Sequence, residues 1–147
     1  MKPMSPSFRT LDLLRSSGLR ITPQRLAVFE SIAALDHPAA DDIYDRLRHS
    51  HSAMSVATVY NTVERLVQEG LVRVIMVEGK RRYDLRLDRH DHLLCQVCHR
   101  LEDCPDDCPS AGIAVPKELL VKGQTWQINQ HTVILEGVCP DCMNSQP

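Results

Sequence analysis

The sequence predicts an α+β chain in two halves, a helical half closed by a β-hairpin and a smaller half stapled by metal. Three observations predict this. Apolar residues recur at helical spacing three times before residue 70, then give way to two strand-like runs around Glu78-Gly79-Lys80. All six cysteines lie after residue 94, and four of them form two C-x-x-C pairs. The charge divides too: residues 1–82 carry 12 Lys+Arg against 9 Asp+Glu, whereas residues 83–147 carry 5 against 10. The net of +3 in the first half suits a polyanion, and the −5 of the second does not. The boundaries read as 1–82, a hinge at 83–89, and 90–147.

Thr22-Pro23 starts the first helix, because Thr can cap it and Pro suits its first turn. Leu26, Phe29 and Ala33 form its stripe, widened by Val28, Ile32 and Leu35. His37-Pro38 ends it. A second helix runs from about Ala39 to His49 and buries Ile43 and Leu47, with Asp41 and Asp42 in the first turn. A third starts at the N-cap Ser55 and buries Val56, Val59, Val63, Leu66 and Val67, with Gly70 as its C-terminal cap. Its other face carries Ser55, Thr58, Asn61, Thr62 and Arg65, short or polar side chains that fit a major groove. Tyr60 shares a side with Val56 and Val63 and reads equally as core. Strands at about Leu71–Val77 and Arg81–Leu85 make a basic wing around Lys80, Arg81 and Arg82, suited to phosphates. Three helices and such a hairpin are a winged-helix domain. On this pattern alone a solvated helical face is about as good a reading as nucleic-acid binding.

No apolar run approaches the ~18 residues of a membrane span, and Met1–Leu19 lacks the apolar core of a signal peptide. The expectation is a cytoplasmic protein with no membrane partner. There thiols stay reduced, so six cysteines point to metal or redox chemistry rather than a disulfide framework.

Cys95-Gln-Val-Cys98 and Cys139-Pro-Asp-Cys142 offer four thiolates, the set that tetrahedral structural Zn(II) prefers. The 40 intervening residues leave room for a short helix near Pro116–Val121 and a strand through Gln127–Leu135. A half this small buries little core, so a metal staple has a thermodynamic purpose. The competing reading is a thioredoxin-like redox pair at Cys139 and Cys142, which needs a strand–helix setting. A zinc deaminase is excluded because no H-x-E occurs. Cys104 and Cys108 lie in a turn-rich acidic loop and read as two free thiols, dispensable for metal-dependent DNA binding. A disulfide or soft-metal site is the weaker alternative. His90-Asp91-His92 points two imidazoles to one face if extended. With Asp84 before it and Asp103 after it, the donors suit Fe(II), Mn(II) or Zn(II).

Arg20-Ile-Thr-Pro-Gln-Arg25, His37-Pro-x-Ala-Asp-Asp-Ile-Tyr44, Ser55-Val-Ala-Thr-Val-Tyr-Asn61, His90-Asp-His-Leu-Leu-Cys-Gln-Val-Cys98 and Gly137-Val-Cys-Pro-Asp-Cys142 follow one another along the chain. In that order they resemble the ferric uptake regulator (Fur) family. The resemblance implies a homodimer that represses transcription at a double-stranded DNA operator, with no catalytic turnover. It implies structural zinc on Cys95, Cys98, Cys139 and Cys142, and a recognition helix at Ser55–Glu69. Tyr60 becomes a base contact and Arg20 a phosphate or minor-groove contact. The implied regulatory site is His37, Asp84, His90, His92 and Asp103, holding Fe(II) or Mn(II). Asp at 84 and 103, and Asn61, look like the peroxide-sensing (PerR) branch; manganese-, iron- and zinc-uptake control are the alternatives. A further family site matches only at Asp91 and His131, with Arg89 in place of its leading His and Ser110 near its Glu. The reading from another class is a zinc-stapled thiol redox enzyme.

Overall fold

A computed structural model describes residues 7–145, with side chains from Asp12 onward. The expectation of no signal peptide at Met1–Leu19 falls partly outside them. Among the described residues, no helix is long and apolar enough to cross a membrane. The chain divides into two compact units between Leu87 and Asp88.

The first unit holds α1 (Ser7–Ser16), α2 (Pro23–Leu35), α3 (Ala40–Leu47), α4 (Val56–Gln68), β1 (Arg73–Val77) and β2 (Lys80–Asp84). The helix starts follow capping chemistry. Thr22 Oγ1 accepts from Arg25 N–H at 3.2 Å, Asp42 Oδ2 accepts from Ala39 N–H at 2.8 Å, and Ser55 Oγ accepts from Thr58 N–H at 3.1 Å. Val28, Phe29 and Ile32 of α2, Ile43 and Leu47 of α3, and Val59, Val63 and Leu66 of α4 close one core with Tyr83 of β2. Each such side chain contributes about 1.5–3 kcal/mol when fully buried.

Four details differ from the sequence reading. Helix α1 was not expected, although Phe8, Leu11 and Leu14 have helical spacing; Leu14 is buried in the core. Val56, in the first turn of α4, is exposed rather than buried. The sheet begins at Arg73, after Leu71 and Val72 have entered the core. Lastly, Lys80 pairs with Val77, so the turn is only Glu78-Gly79, with φ values of 50° and 75°. That is the two-residue turn whose twist matches a hairpin.

The second unit holds β3 (His92–Cys95), β4 (Leu101–Asp103), a 3-10 turn (Pro109–Gly112), β5 (Glu118–Val121), β6 (Gln124–Gln127), β7 (Ile134–Gly137) and α5 (Pro140–Asn144). Strand β3 is central in the order β4-β3-β7, antiparallel to β4 and parallel to β7. The helix expected at Pro116–Val121 is strand β5. Lys122-Gly123, with φ values of 49° and 77°, makes a second tight hairpin turn into β6. The expected strand Gln127–Leu135 is not continuous: β6 ends at Gln127 and β7 begins at Ile134. Leu119, Leu120, Val121 and Trp126 of this hairpin are all exposed.

Candidate nucleic-acid face and metal centres

On α4, Ser55, Tyr60, Asn61 and Arg65 are exposed, and Thr58 and Thr62 are half-buried. Tyr60 is therefore not a core ring; its hydroxyl stands 3.5 Å from Asp41 Oδ1. Ser55 Oγ serves as cap and lies 2.8 Å from Thr58 Oγ1. Arg65 pairs with Glu69 at 2.6 Å, and Arg81 of the wing with Glu64 of α4. These exposed pairs hold side chains in place but contribute little stability. Lys80 and Arg20 are exposed. If the wing meets phosphates and the helix reads bases, two variants behave differently. Lys80→Ala weakens binding to every duplex and lowers the salt slope by about one unit. Asn61→Arg changes which operator is preferred. Fluorescence anisotropy across salt and across operators checks both; an identical uniform loss contradicts the division of roles.

The four C-x-x-C thiols form one cluster, with all four Sγ atoms within 4.8 Å of one another. Cys98 Sγ and Cys139 Sγ stand 3.8 Å apart. A tetrahedron with ~2.3 Å Zn–S bonds has edges of ~3.8 Å, so the donor set and spacing fit zinc. Backbone geometry makes the cluster. Gln96 N–H donates to Gly137 O at 2.8 Å, and Cys139 N–H donates to Cys95 Sγ at 3.3 Å. Arg100 joins the two knuckles through Asp141 at 3.0 Å. Backbone N–H groups of Cys98 and Cys139 lower the Cys95 thiol to about 6. Sharing a hydrogen bond with Cys139, then burial, pushes Cys142 up to about 12. Four sulfurs this close resist carrying several negative charges at once, and a divalent cation relieves that resistance.

Each unit also brings two or three hard donors together. In the first, Tyr83 N–H donates to Pro38 O at 2.9 Å, which ties the end of β2 to the α2–α3 loop. His37 Nε2 thereby lies 3.7 Å from Asp84 Oδ2, both buried. Asp36 and His37 have φ values of 50° and 53°, a left-handed conformation uncommon outside glycine and held by the Pro38 turn.

In the second unit, His92 lies opposite Asp103 in the β3–β4 register. Asp103 Oδ1 is 3.2 Å from His90 Nε2 and 3.5 Å from His92 Nε2. His90 Nδ1 is 2.8 Å from Asp88 O, so Nδ1–H donates there and Nε2 faces Asp103. Ligands ~2.1 Å from one ion stand ~3.0–3.5 Å apart, so nitrogen and oxygen donors here fit a divalent ion.

Asp91 and His131 do meet, but through Arg89. Its Nη2 donates to Asp91 Oδ1 at 3.1 Å and its Nε to His131 Nε2 at 3.2 Å. Ser110 Oγ and Val133 N–H also donate to Asp91, at 2.7 and 3.1 Å. Burial raises the Asp91 pKa, but Ser110, Val133 and Arg89 outweigh it and leave the pKa below the ordinary value. The guanidinium already supplies the cation that an extra metal would, and an ion would have to displace it.

Cys104 and Cys108 are not free thiols: they form a disulfide, both residues buried. The expectation failed because it rested on polarity. Four residues of separation and a Cys-Pro-Asp-Asp-Cys turn bring the sulfurs within bonding reach.

The fold and these clusters define a class first: a winged-helix DNA-binding domain with a small α/β dimerisation domain carrying a four-cysteine zinc site, a metal-dependent transcription regulator. The chain belongs to the ferric uptake regulator family, whose model matches residues 16–136. It is 32% identical over 138 residues to the peroxide operon regulator of Bacillus subtilis, covering 92% of each chain. It is 30% identical over 139 residues to the ferric uptake regulation protein of Synechococcus elongatus, covering 90% of this chain and 91% of that one. Among solved structures, the Vibrio cholerae ferric uptake regulator matches with a TM-score of 0.64 at 26% identity, over 88% of this chain and 99% of that one. Members of this family are regulators, not enzymes, and the thiol redox enzyme is set aside.

Proposed function

We propose that the chain is a homodimeric repressor that senses peroxide through a single Fe(II) held by His37, Asp84, His90, His92 and Asp103. The observation that carries this is the convergence of His90 and His92 on Asp103, with a second His/Asp pair in the other unit. Structural zinc occupies Cys95, Cys98, Cys139 and Cys142. The exposed Leu119, Leu120 and Trp126 support a dimer, because a lone two-stranded hairpin is not stable uncovered. Helix α4, with Ser55, Thr58, Tyr60, Asn61, Thr62 and Arg65, reads the operator; Arg20 and Lys80 hold phosphates.

His37 and Asp84 belong to one unit and His90, His92 and Asp103 to the other, so a shared ion links the two. The segment 83–89 is the hinge. Its β2 end, Tyr83 and Asp84, is anchored by the first core, so bending falls on the residues after Asp84. The Vibrio cholerae relative is described as showing a rearrangement of its DNA-binding domains. Metal selects the arrangement in which two α4 helices match successive half-sites, by its differential affinity for that arrangement.

Fe(II) held by these nitrogen and oxygen donors would supply peroxide-reducing chemistry within reach of the imidazoles, which Mn(II) would not readily supply. The chain supplies His37 and His90 as oxidisable ligands, and an oxidised ring no longer binds. The expected result is that Fe(II)-loaded protein loses operator binding after brief peroxide exposure and gains one oxygen on His37 or His90, read by peptide mass spectrometry. Mn(II)-loaded protein keeps binding. Iron-loaded protein that survives with unmodified histidines makes iron- or manganese-uptake control the better reading, which the Synechococcus elongatus relative favours.

A further inference from the structure

We propose that Cys104 and Cys108 are a reversible dithiol–disulfide centre, separate from the zinc thiols, whose state sets how firmly Asp103 is held beside His90 and His92. The second half of this statement rests on the regulatory site proposed above; the first does not.

The position of the disulfide carries the inference. Cys104 directly follows Asp103, the last residue of β4, which is only three residues long and pairs with β3 alone. Cys104 N–H donates to Asp91 O at 2.8 Å, so the loop begins against the residue between the two histidines. At its far end, Cys108 Sγ lies 3.2 Å from Ser110 Oγ, whose proton goes to Asp91 Oδ2 at 2.7 Å. The S–S bond therefore closes a short ring with Asp103 on one arm and Ser110 on the other, and both arms brace residues 90–92. Opening it removes a covalent constraint and gives the end of β4 more conformations. A carboxylate ligand with more conformations to lose binds a metal ion more weakly.

The chemistry is available. The loop residues Pro105, Asp106 and Asp107 are exposed, and a cavity of about 60 Å³ is lined by Cys104, Cys108, His90 and Asp91. That admits hydrogen peroxide. One thiol sulfur attacks the O–O bond, giving a sulfenic acid and one water. The second thiol then displaces the hydroxyl, forming S–S and releasing a second water. Two electrons pass from two sulfurs to one peroxide. A dithiol reductant reverses the step by exchange and is itself oxidised to a disulfide. Cys95, Cys98, Cys139 and Cys142 must stay thiolates to hold zinc. A milieu that keeps them so also lets the Cys104–Cys108 pair be reduced and reformed.

The test uses full-length, zinc-loaded, iron-free protein. After a dithiol and anaerobic desalting, alkylation should label Cys104 and Cys108 with zinc retained; after hydrogen peroxide neither should label. Mn(II) titration should then show the disulfide form binding about threefold or more tighter than the dithiol form. The Cys104→Ser/Cys108→Ser variant should keep Mn(II)-dependent DNA binding, match the dithiol form in affinity and ignore peroxide. Labelling that does not change with redox state, or that appears only as zinc leaves, overturns the dithiol centre. Equal Mn(II) affinity in the two forms overturns the coupling. Failure of the regulatory-site reading looks different: no form binds DNA in response to Mn(II), while the labelling result stands.

Discussion

Protein carrying Cys98→Ser comes off purification without zinc and with its second unit unfolded. A serine hydroxyl is not a thiolate, and three sulfurs do not complete the closed tetrahedral site that Zn(II) takes in structural roles. Structural zinc contributes about 10–16 kcal/mol to the folding of small metal domains, as much as a whole domain's usual net stability of about 5–15 kcal/mol. The second unit has few alternatives. Its buried apolar side chains before the loop are Leu94 and Leu101, while Leu119, Leu120, Val121, Trp126 and Leu135 are exposed. Loss of the staple frees β7 from β3, and β3 is the central strand. The first unit keeps its own core, so far-ultraviolet circular dichroism should retain the signal of α2 to α4 while the dimer dissociates in sedimentation. A zinc-free C98S protein that remains dimeric and equally stable to heat shows that the four thiols are not structural.

His37→Ala abolishes the response of DNA binding to metal while leaving the zinc in place. On the proposed site, the substitution removes one of the two ligands that the first unit contributes, and Asp84, a single carboxylate, holds the ion to that unit too weakly to bias the hinge. Coupling between sites is typically about 1–3 kcal/mol, or 5–150-fold. Operator affinity at saturating Mn(II) should fall by about that factor, to the value of the metal-free protein. Alanine also shifts the cost of a left-handed residue, since φ at this position is 53°. His37→Asn tolerates that conformation and serves as the control; it should lose metal response equally. Calorimetry then shows weaker, not absent, Mn(II) binding. An alanine variant with unchanged metal-dependent operator binding removes the bridging mechanism.

Much of this was legible because it is local. Caps at Thr22 and Ser55, the Glu78-Gly79 turn and the two C-x-x-C knuckles are each written within a few residues. His90 and His92 were legible through their i, i+2 spacing beside a metal motif. His37 was not, because its approach to Asp84 depends on a contact between Tyr83 and Pro38 across 45 positions; only the family resemblance supplied it. The β5–β6 hairpin is a strand pair where a helix is expected, because Leu119, Leu120 and Val121 run without the alternation that marks a half-buried strand, and all three are exposed. The pairing of Lys122 with Gly123 was the available signal. Arg89 and Ser110 were read only as departures from a metal site, whereas the structure shows them satisfying Asp91 by charge and hydrogen bonding.

The parallel pairing of β3 with β7, and the separation of 41 positions from Cys98 to Cys139, set a timetable for synthesis. The central strand is made long before β7, and two of the four zinc ligands long before the other two. At ribosomal speeds of about 5–20 residues per second, Cys95 and Cys98 wait about 2–8 s for the second knuckle. The first unit, complete by then, can fold on the ribosome without help from metal. The second cannot, and during the wait it offers a two-thiolate half-site to any soft ion in the cell. Zinc can therefore close its site only after the second knuckle has been made, and the second unit is the last part of the chain to mature.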